Sequence, residues 1–203
     1  MSETPLRQAK RDATAAALAV AAFELTVERG LDGFHMDELV QRAGYSRRTF
    51  GNYYSCKEEA VAAIATEGIG DALDRFGACD FAGTTLDLLE GVVRSQLSSE
   101  VLERLLLLES LARQYPTLEP HVLAANAKLM ERGLEVVLRH SDGNDELYSR
   151  LLITACYGTL TLPIRGGVSI RDASDPAEEG SFTLVEFVDE VFRYLRTGFS
   201  KPL

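Results

Sequence analysis

Apolar residues in this chain recur three and four positions apart, and no stretch alternates polar with apolar for long. That feature restricts the fold more than any other, because a spacing near 3.6 belongs to helices and a period of two to strands. An all-α fold follows, with glycine and proline falling between helices. The first helix is expected over 9–28, with Ala13, Ala16, Val20, Phe23 and Val27 as its apolar stripe and Gly30 as a left-handed cap. Two short helices follow, 36–43 and 47–53, parted by Gly44-Tyr45-Ser46. Asp37 and Glu38 fall in the first turn of the earlier one, where the helix dipole favours anions. The Ser46 hydroxyl is placed to cap the later one.

Ser55-Cys56-Lys57-Glu58 fits a capping box, so a long fourth helix is expected to run from there to Phe76. Further helices are expected at 85–97, 99–114, 118–140, 145–163 and 183–199, about nine in all. Tyr115-Pro116 separates two of them. Thr183 and Glu186 form a second capping box, and 165–180 is the longest loop. The helix at 99–114 is apolar nearly all round, which predicts a central buried element. Residues 1–57 read as a small N-terminal domain and 58–203 as a larger helical one.

The 203 residues are 46% apolar, enough for a sizeable core. No apolar run approaches the roughly 20 residues of a membrane span. The N-terminus lacks a signal-peptide cleavage pattern, so a cytoplasmic location is expected. Cys56, Cys79 and Cys156 form no close pair and read as reduced structural thiols. His35, His121 and His140 lack metal-ligand spacing, and no catalytic or nucleotide-binding motif is present, so neither an enzyme nor a cofactor is expected.

Charge divides the chain. Residues 1–57 hold eight Lys/Arg against seven Asp/Glu, a net +1, whereas the remainder holds thirteen against twenty-four, a net −11. A basic, aromatic island, "LVQRAGYSRRTFGNYYSCKEE", sits at residues 39–59 of this acidic chain. Two short helices about a glycine turn fit a helix-turn-helix, whose second helix enters the major groove of double-stranded DNA. Phe50 and Tyr54 are expected to pack inward. Arg47, Arg48, Gly51 and Asn52 then face outward, and arginine and asparagine can each bond a base edge through paired groups. Tyr45, Ser46, Thr49, Tyr53 and Lys57 flank that face and suit phosphates. Arg7, Lys10 and Arg11 could add a basic arm.

Residues 9–59 resemble the DNA-binding domain of TetR-type transcriptional repressors. The resemblance lies in "AAFELTVERG" (21–30), "MDELVQRAGYS" (36–46) and "TFGNYYSCKE" (49–58). It implies a three-helix reader, a connecting fourth helix, and a helical effector-binding and dimerisation domain behind them. The chain departs from the family pattern at Gly51, where an aromatic is usual, at His35, which replaces a capping Thr and is itself a DNA-binding candidate, and at Tyr45, which replaces Val. By the same resemblance the last two helices would make a homodimer interface. Leu184, Phe187, Val188, Val191, Phe192, Leu195 and Phe199 lie on one of them, and Leu151, Ala155, Gly158, Thr159 and Leu162 on the other. Arg104, Glu109, Tyr115, His121, Asn126, Tyr148 and Tyr157 are candidates to line a small-molecule effector pocket. The function expected is a ligand-responsive repressor binding a palindromic operator as a dimer. The alternatives are a helical protein-interaction module whose reader has decayed, and an unrecognised enzyme.

Overall fold

The structure, a computed structural model, describes residues 5–78, 83–96, 98–140, 146–176 and 178–198. Its helices are α1 (Pro5–Arg29), α2 (Met36–Ala43), α3 (Arg47–Phe50), α4 (Lys57–Ala63), α5 (Ile69–Gly77), α6 (Thr85–Ser95), α7 (Ser99–Gln114), α8 (Glu119–His140), α9 (Glu146–Leu160) and α10 (Leu184–Thr197), with a 3₁₀ turn at Ile64–Thr66 after α4. The fold is all-α. Its only regular sheet among the described residues is a parallel pair, β1 (Ser169–Ile170) and β2 (Ser181–Phe182), within the long loop. Cys79 and Phe199, and the expected ends of the helices at 97, 145 and 199, lie outside the described residues.

The expected fourth helix is instead two. After the 3₁₀ turn, Glu67 is extended and Gly68 adopts φ +76°, a left-handed value that an L side chain resists, so the helical ladder stops before α5 begins. The cap of α4 also differs from expectation. Cys56 occupies the N-cap position, and the Ser55 N–H and hydroxyl both donate to the carboxylate of Glu59 rather than Glu58, at 2.8 and 2.7 Å.

The chain forms two compact units. The first comprises the residues up to Glu67 together with Arg104–Asn126, and the second comprises Gly68–Glu103 with the residues from Ala127 onward. In the first, α1 packs against both α2 and α4. It therefore buries a broad face: Leu18, Ala22 and Leu25, with Ala19, Ala21, Phe23 and Thr26. Of the expected stripe, Phe23 is buried and Ala16 and Val20 are half-buried, while Ala13 and Val27 at its ends are exposed. Gly30 ends α1 at φ +78°, and its missing side chain matters twice, because a Cβ there would lie 2.5 Å from the Tyr115 hydroxyl. Of the leucines of α7, Leu108 is buried with this core, while Leu106 and Leu107 face outward. The expectation of an all-round buried helix fails there.

In the second unit, Leu86, Leu89, Val137, Leu152, Ile153, Cys156, Phe187, Val188, Val191 and Phe192 form one cluster. Ala72, Leu73, Leu88, Val92 and Val136 form another. An ion-pair network ties α6 to α10. Arg196 reaches Asp87 at 2.7 Å and also bonds Glu90, and Arg94 bridges Glu90 and Asp189 at 2.6 and 2.5 Å. Phe187, Val188, Val191 and Phe192 were expected on an intersubunit face. They are core side chains of the protomer itself, because the α10 stripe closes over α6 and α9. The apolar side chains left outward are Leu147, Tyr148, Leu151 and Leu162, on and just beyond α9, and Val185 on α10.

Candidate nucleic-acid interface

The segment 35–57 is anchored from its inner side. Leu39, Val40 and Phe50 sit in the core of the first unit. Tyr54 stacks at a tilt on Phe50, with ring centroids 5.7 Å apart, and its hydroxyl donates to the Ala15 carbonyl at 3.0 Å. Burial pushes the Tyr54 phenol up to about 12, so it stays a donor at every physiological pH.

Local chemistry sets the turn between the helices. Gly44 caps α2 at φ +76°, and its N–H reaches the Gln41 carbonyl. The Tyr45 N–H bonds the Val40 carbonyl at 2.8 Å. The Ser46 hydroxyl then accepts from the Thr49 N–H at 3.1 Å and shares a 2.9 Å hydrogen bond with the Thr49 hydroxyl, which fixes the start of α3. α3 is a single turn of four residues, shorter than the seven expected. Residues 51–53 continue it as turns, in which the Gly51, Asn52 and Tyr53 N–H groups donate to Arg47, Thr49 and Phe50 carbonyls.

The outer side presents Tyr45, Ser46, Arg47, Arg48, Gly51 and Asn52 as exposed residues, with Thr49 and Tyr53 half-buried. His35 is also exposed, at the N-cap of α2, and its backbone N–H donates to Glu38 at 2.9 Å.

Most of the cations of this segment are engaged. Arg42 makes a fork to Glu28 at 2.6 and 2.8 Å, and Arg29 meets Glu38 at 2.8 Å. Arg47 donates from Nε and Nη2 to both carboxylate oxygens of Asp37. Hydrogen bonds from Arg47 hold the Asp37 carboxyl below the usual carboxylate range, and Arg42 does the same to Glu28. Lys57 was expected to offer its charge to phosphate. Its ammonium instead donates to the Leu31 carbonyl at 2.5 Å, lies 5.1 Å over the Phe34 ring, and is 3.9 Å from Asp32. Arg48 makes no ion pair among the described residues. Sequence reasoning missed this pairing. Its one signal was the near balance of charges over 1–57, since a net +1 leaves few cations without an anion nearby.

Residues 18–64 match the family model of bacterial regulatory proteins, tetR family. This N-terminal segment is similar to the members of that family. The TetR-type match spans α2, α3 and the turn between them. No curated protein matches the sequence. Among solved structures, a TetR-family transcriptional regulator from Mesorhizobium loti is similar at 17% identity and TM-score 0.50, with 96% of each chain covered, and shares the fold. A TetR/AcrR-family regulator from Thermobifida fusca matches at 16% identity and TM-score 0.44, covering 92% of this chain and 98% of its own. A TetR-family member from Streptomyces coelicolor matches at 23% and 0.38, covering 91% of each.

The candidate effector residues divide between the two units. Arg104 pairs with Glu67 at 3.6 Å, Glu109 with Arg113 at 3.9 Å, and the Tyr115 hydroxyl accepts from Gln114 at 3.3 Å while lying against Gly30. His121 places Nε2 3.6 Å from the Cys56 sulfur, and Asn126 is half-buried. Tyr148 is exposed and Tyr157 half-buried, both in the second unit. Among the described residues no group of three or more His, Cys, Asp or Glu side chains could hold a metal ion, and no helix is long and apolar enough to cross a membrane.

Proposed function

We propose that this chain is a sequence-specific DNA-binding transcription regulator that places α3 in the major groove. The observation carrying this reading is the two-sidedness of residues 45–54. Phe50 and Tyr54 are fixed into the core, while Tyr45, Ser46, Arg47, Arg48 and Asn52 stand outward on a capped turn of helix. Arg48 and Asn52 carry the side-chain types that read guanine and adenine edges, and Tyr45, Ser46, Thr49 and Tyr53 offer hydroxyls to phosphate. His35, exposed at the start of α2, adds a further candidate contact.

One copy offers a small reader, and two copies on a palindromic operator double it. The surface that supports a homodimer is the stripe Leu147, Leu151, Ala155 and Gly158, spaced to fall on one side of α9, with Leu162 just beyond its end and the leucines exposed. Leu184 and Leu195 flank it as half-buried residues of the adjoining α10. A small-molecule effector acts, in this reading, by binding one spacing of the paired readers better than another, which makes the protein ligand-responsive and, where bound DNA blocks transcription, a repressor.

The test is a footprint of the protein on the promoter region upstream of its own gene, followed by titration at several salt concentrations. A protected, two-fold symmetric site and an affinity that falls steeply with salt are expected. Arg48→Ala should weaken the cognate site by about 1–3 kcal/mol and relax its base preference. No protection anywhere, with the protein folded, overturns the reading.

A further inference from the structure

The two adjacent arginines of α3 are not equivalent. The Arg47 guanidinium presents its Nε–Nη2 edge to both oxygens of Asp37, the side-on fork that matches a carboxylate best. Asp37 is placed for this by the second position of α2, where the helix dipole holds an anion. Arg48 carries no such partner among the described residues. Both members of the Arg47–Asp37 pair stand in solvent, with side chains 63% and 71% exposed, so the pair is not part of the packing. An acid on the outward side of a DNA reader repels every phosphate, and it also cancels the charge of the arginine beside it.

We propose that Asp37 is a specificity-determining residue, which holds Arg47 away from phosphates and yields it only to a base edge. The inference rests on the DNA-binding reading above. Against arbitrary DNA, α3 then contributes the charge of Arg48 alone, because the Asp37–Arg47 pair is neutral as a unit. A phosphate can also accept two donors from Arg47, but it lies along the backbone, whereas a cognate guanine edge presents its pair of acceptors within the groove that α3 enters. An exposed ion pair holds its partners by a factor of no more than about five, so such a contact can open it, while weak non-specific encounters leave it closed. Asp37 therefore lowers background binding more than cognate binding. A regulator needs that ratio, because non-specific sites vastly outnumber its own.

The experiment compares the full chain with Asp37→Asn, Arg47→Ala and the double variant, each titrated with the footprinted promoter fragment and with a random duplex of equal length at several salt concentrations. Asp37→Asn is expected to tighten random duplex by about three- to tenfold, to steepen its salt dependence by about one unit of slope, and to change the cognate site less, so that discrimination falls. In the Arg47→Ala background the same substitution still removes a negative charge, so some tightening on random duplex is expected to persist, but the loss of discrimination is expected to disappear, because no held guanidinium remains to be released. Thermal melting should fall by no more than the roughly 0.3–1 kcal/mol that an acid in the first turn of α2 contributes, and the Arg47→Ala background should not change that loss, which separates this role from a structural one. If Asp37→Asn leaves discrimination and salt slope as they are, or if its effect on discrimination survives the loss of Arg47, the inference is overturned. If the wild-type chain shows no preference for any fragment over random duplex, the regulator reading fails instead, and the salt slopes still decide whether Asp37 neutralises Arg47.

Discussion

The ammonium of Lys57, the first residue of α4, donates to the carbonyl of Leu31 in the turn between α1 and α2. The same group lies over the Phe34 ring, and the Lys57 side chain is only 22% exposed. One cation thus joins the end of the reader to the turn that orients α2. A hydrogen bond from a charged donor contributes about 1.5–3 kcal/mol. Lys57→Ala is expected to destabilise the protein by about that amount and, at roughly 2–4 °C per kcal/mol for a chain of this size, to lower the melting temperature measurably. The salt slope of DNA binding should barely move. A slope reduced by about one, with melting unchanged, would mean that Lys57 leaves Leu31 for a phosphate.

The difference between sequence and structure at this site has a physical pattern. α2 is legible to the residue because its signals are local: acids in the first turn and Gly44 at the left-handed cap. The inward course of Phe50 and Tyr54 is equally legible from spacing. What sequence does not show is set by partners far along the chain. The Arg42–Glu28 fork spans fourteen positions and Lys57–Leu31 twenty-six, and no helical periodicity relates such pairs. The expected stripe of α1 departs from the buried face at its ends for a similar reason. A helix gripped by two neighbours buries more than one narrow face, and Val27 lies outside it while Leu18 and Leu25 lie inside. On α10 the apolar stripe was read correctly as apolar, but its partner is the protomer's own core.

Acid should loosen the second unit through Asp87. The Thr84 hydroxyl, first, and then Arg196 and the Thr84 N–H, hold this carboxyl at about 2, against 3.8 for a free one. Because the folded value is the lower, the unfolded chain takes up the proton first. The stability linked to Asp87 is therefore complete above about pH 4 and drains away as the pH falls towards 2. Asp87→Asn cannot titrate. Its urea midpoint is expected to start lower at pH 6 and to fall less between pH 5 and pH 3 than that of the wild type. Parallel declines in the two proteins would remove Asp87 as a source of acid sensitivity.

Leu151 is 61% exposed at the middle of the apolar stripe of α9. If that stripe meets its copy across a twofold axis, Leu151→Asp places a charge against the partner's apolar surface. Sedimentation velocity is expected to show a dimer for the wild type and a monomer for the variant. A surface residue of this kind alters protomer stability by within about 0.5 kcal/mol, so far-ultraviolet circular dichroism should be unchanged. A variant that sediments as the wild type does would move the interface elsewhere.

Gly51 has room that it does not use. It closes α3 at φ −63° and ψ −11°, ordinary helical values, so its glycine identity is not demanded by the backbone. A Cβ placed there meets nothing nearer than the carbonyls of Arg47 and Arg48, at 3.6 and 3.8 Å, which is ordinary contact. Two things should follow from a methyl group at this position. The unfolded chain loses freedom that the folded one never had, and the lone turn of α3 gains a better helix former at its end. Gly51→Ala is accordingly expected to stabilise the protein by about 0.4–1 kcal/mol, in contrast to Gly44→Ala, where φ is +76° and the same change strains the left-handed cap. Melting curves of the two variants beside the wild type should displace in opposite directions. A loss of stability in Gly51→Ala would show that the single turn of α3 depends on the freedom of its glycine after all.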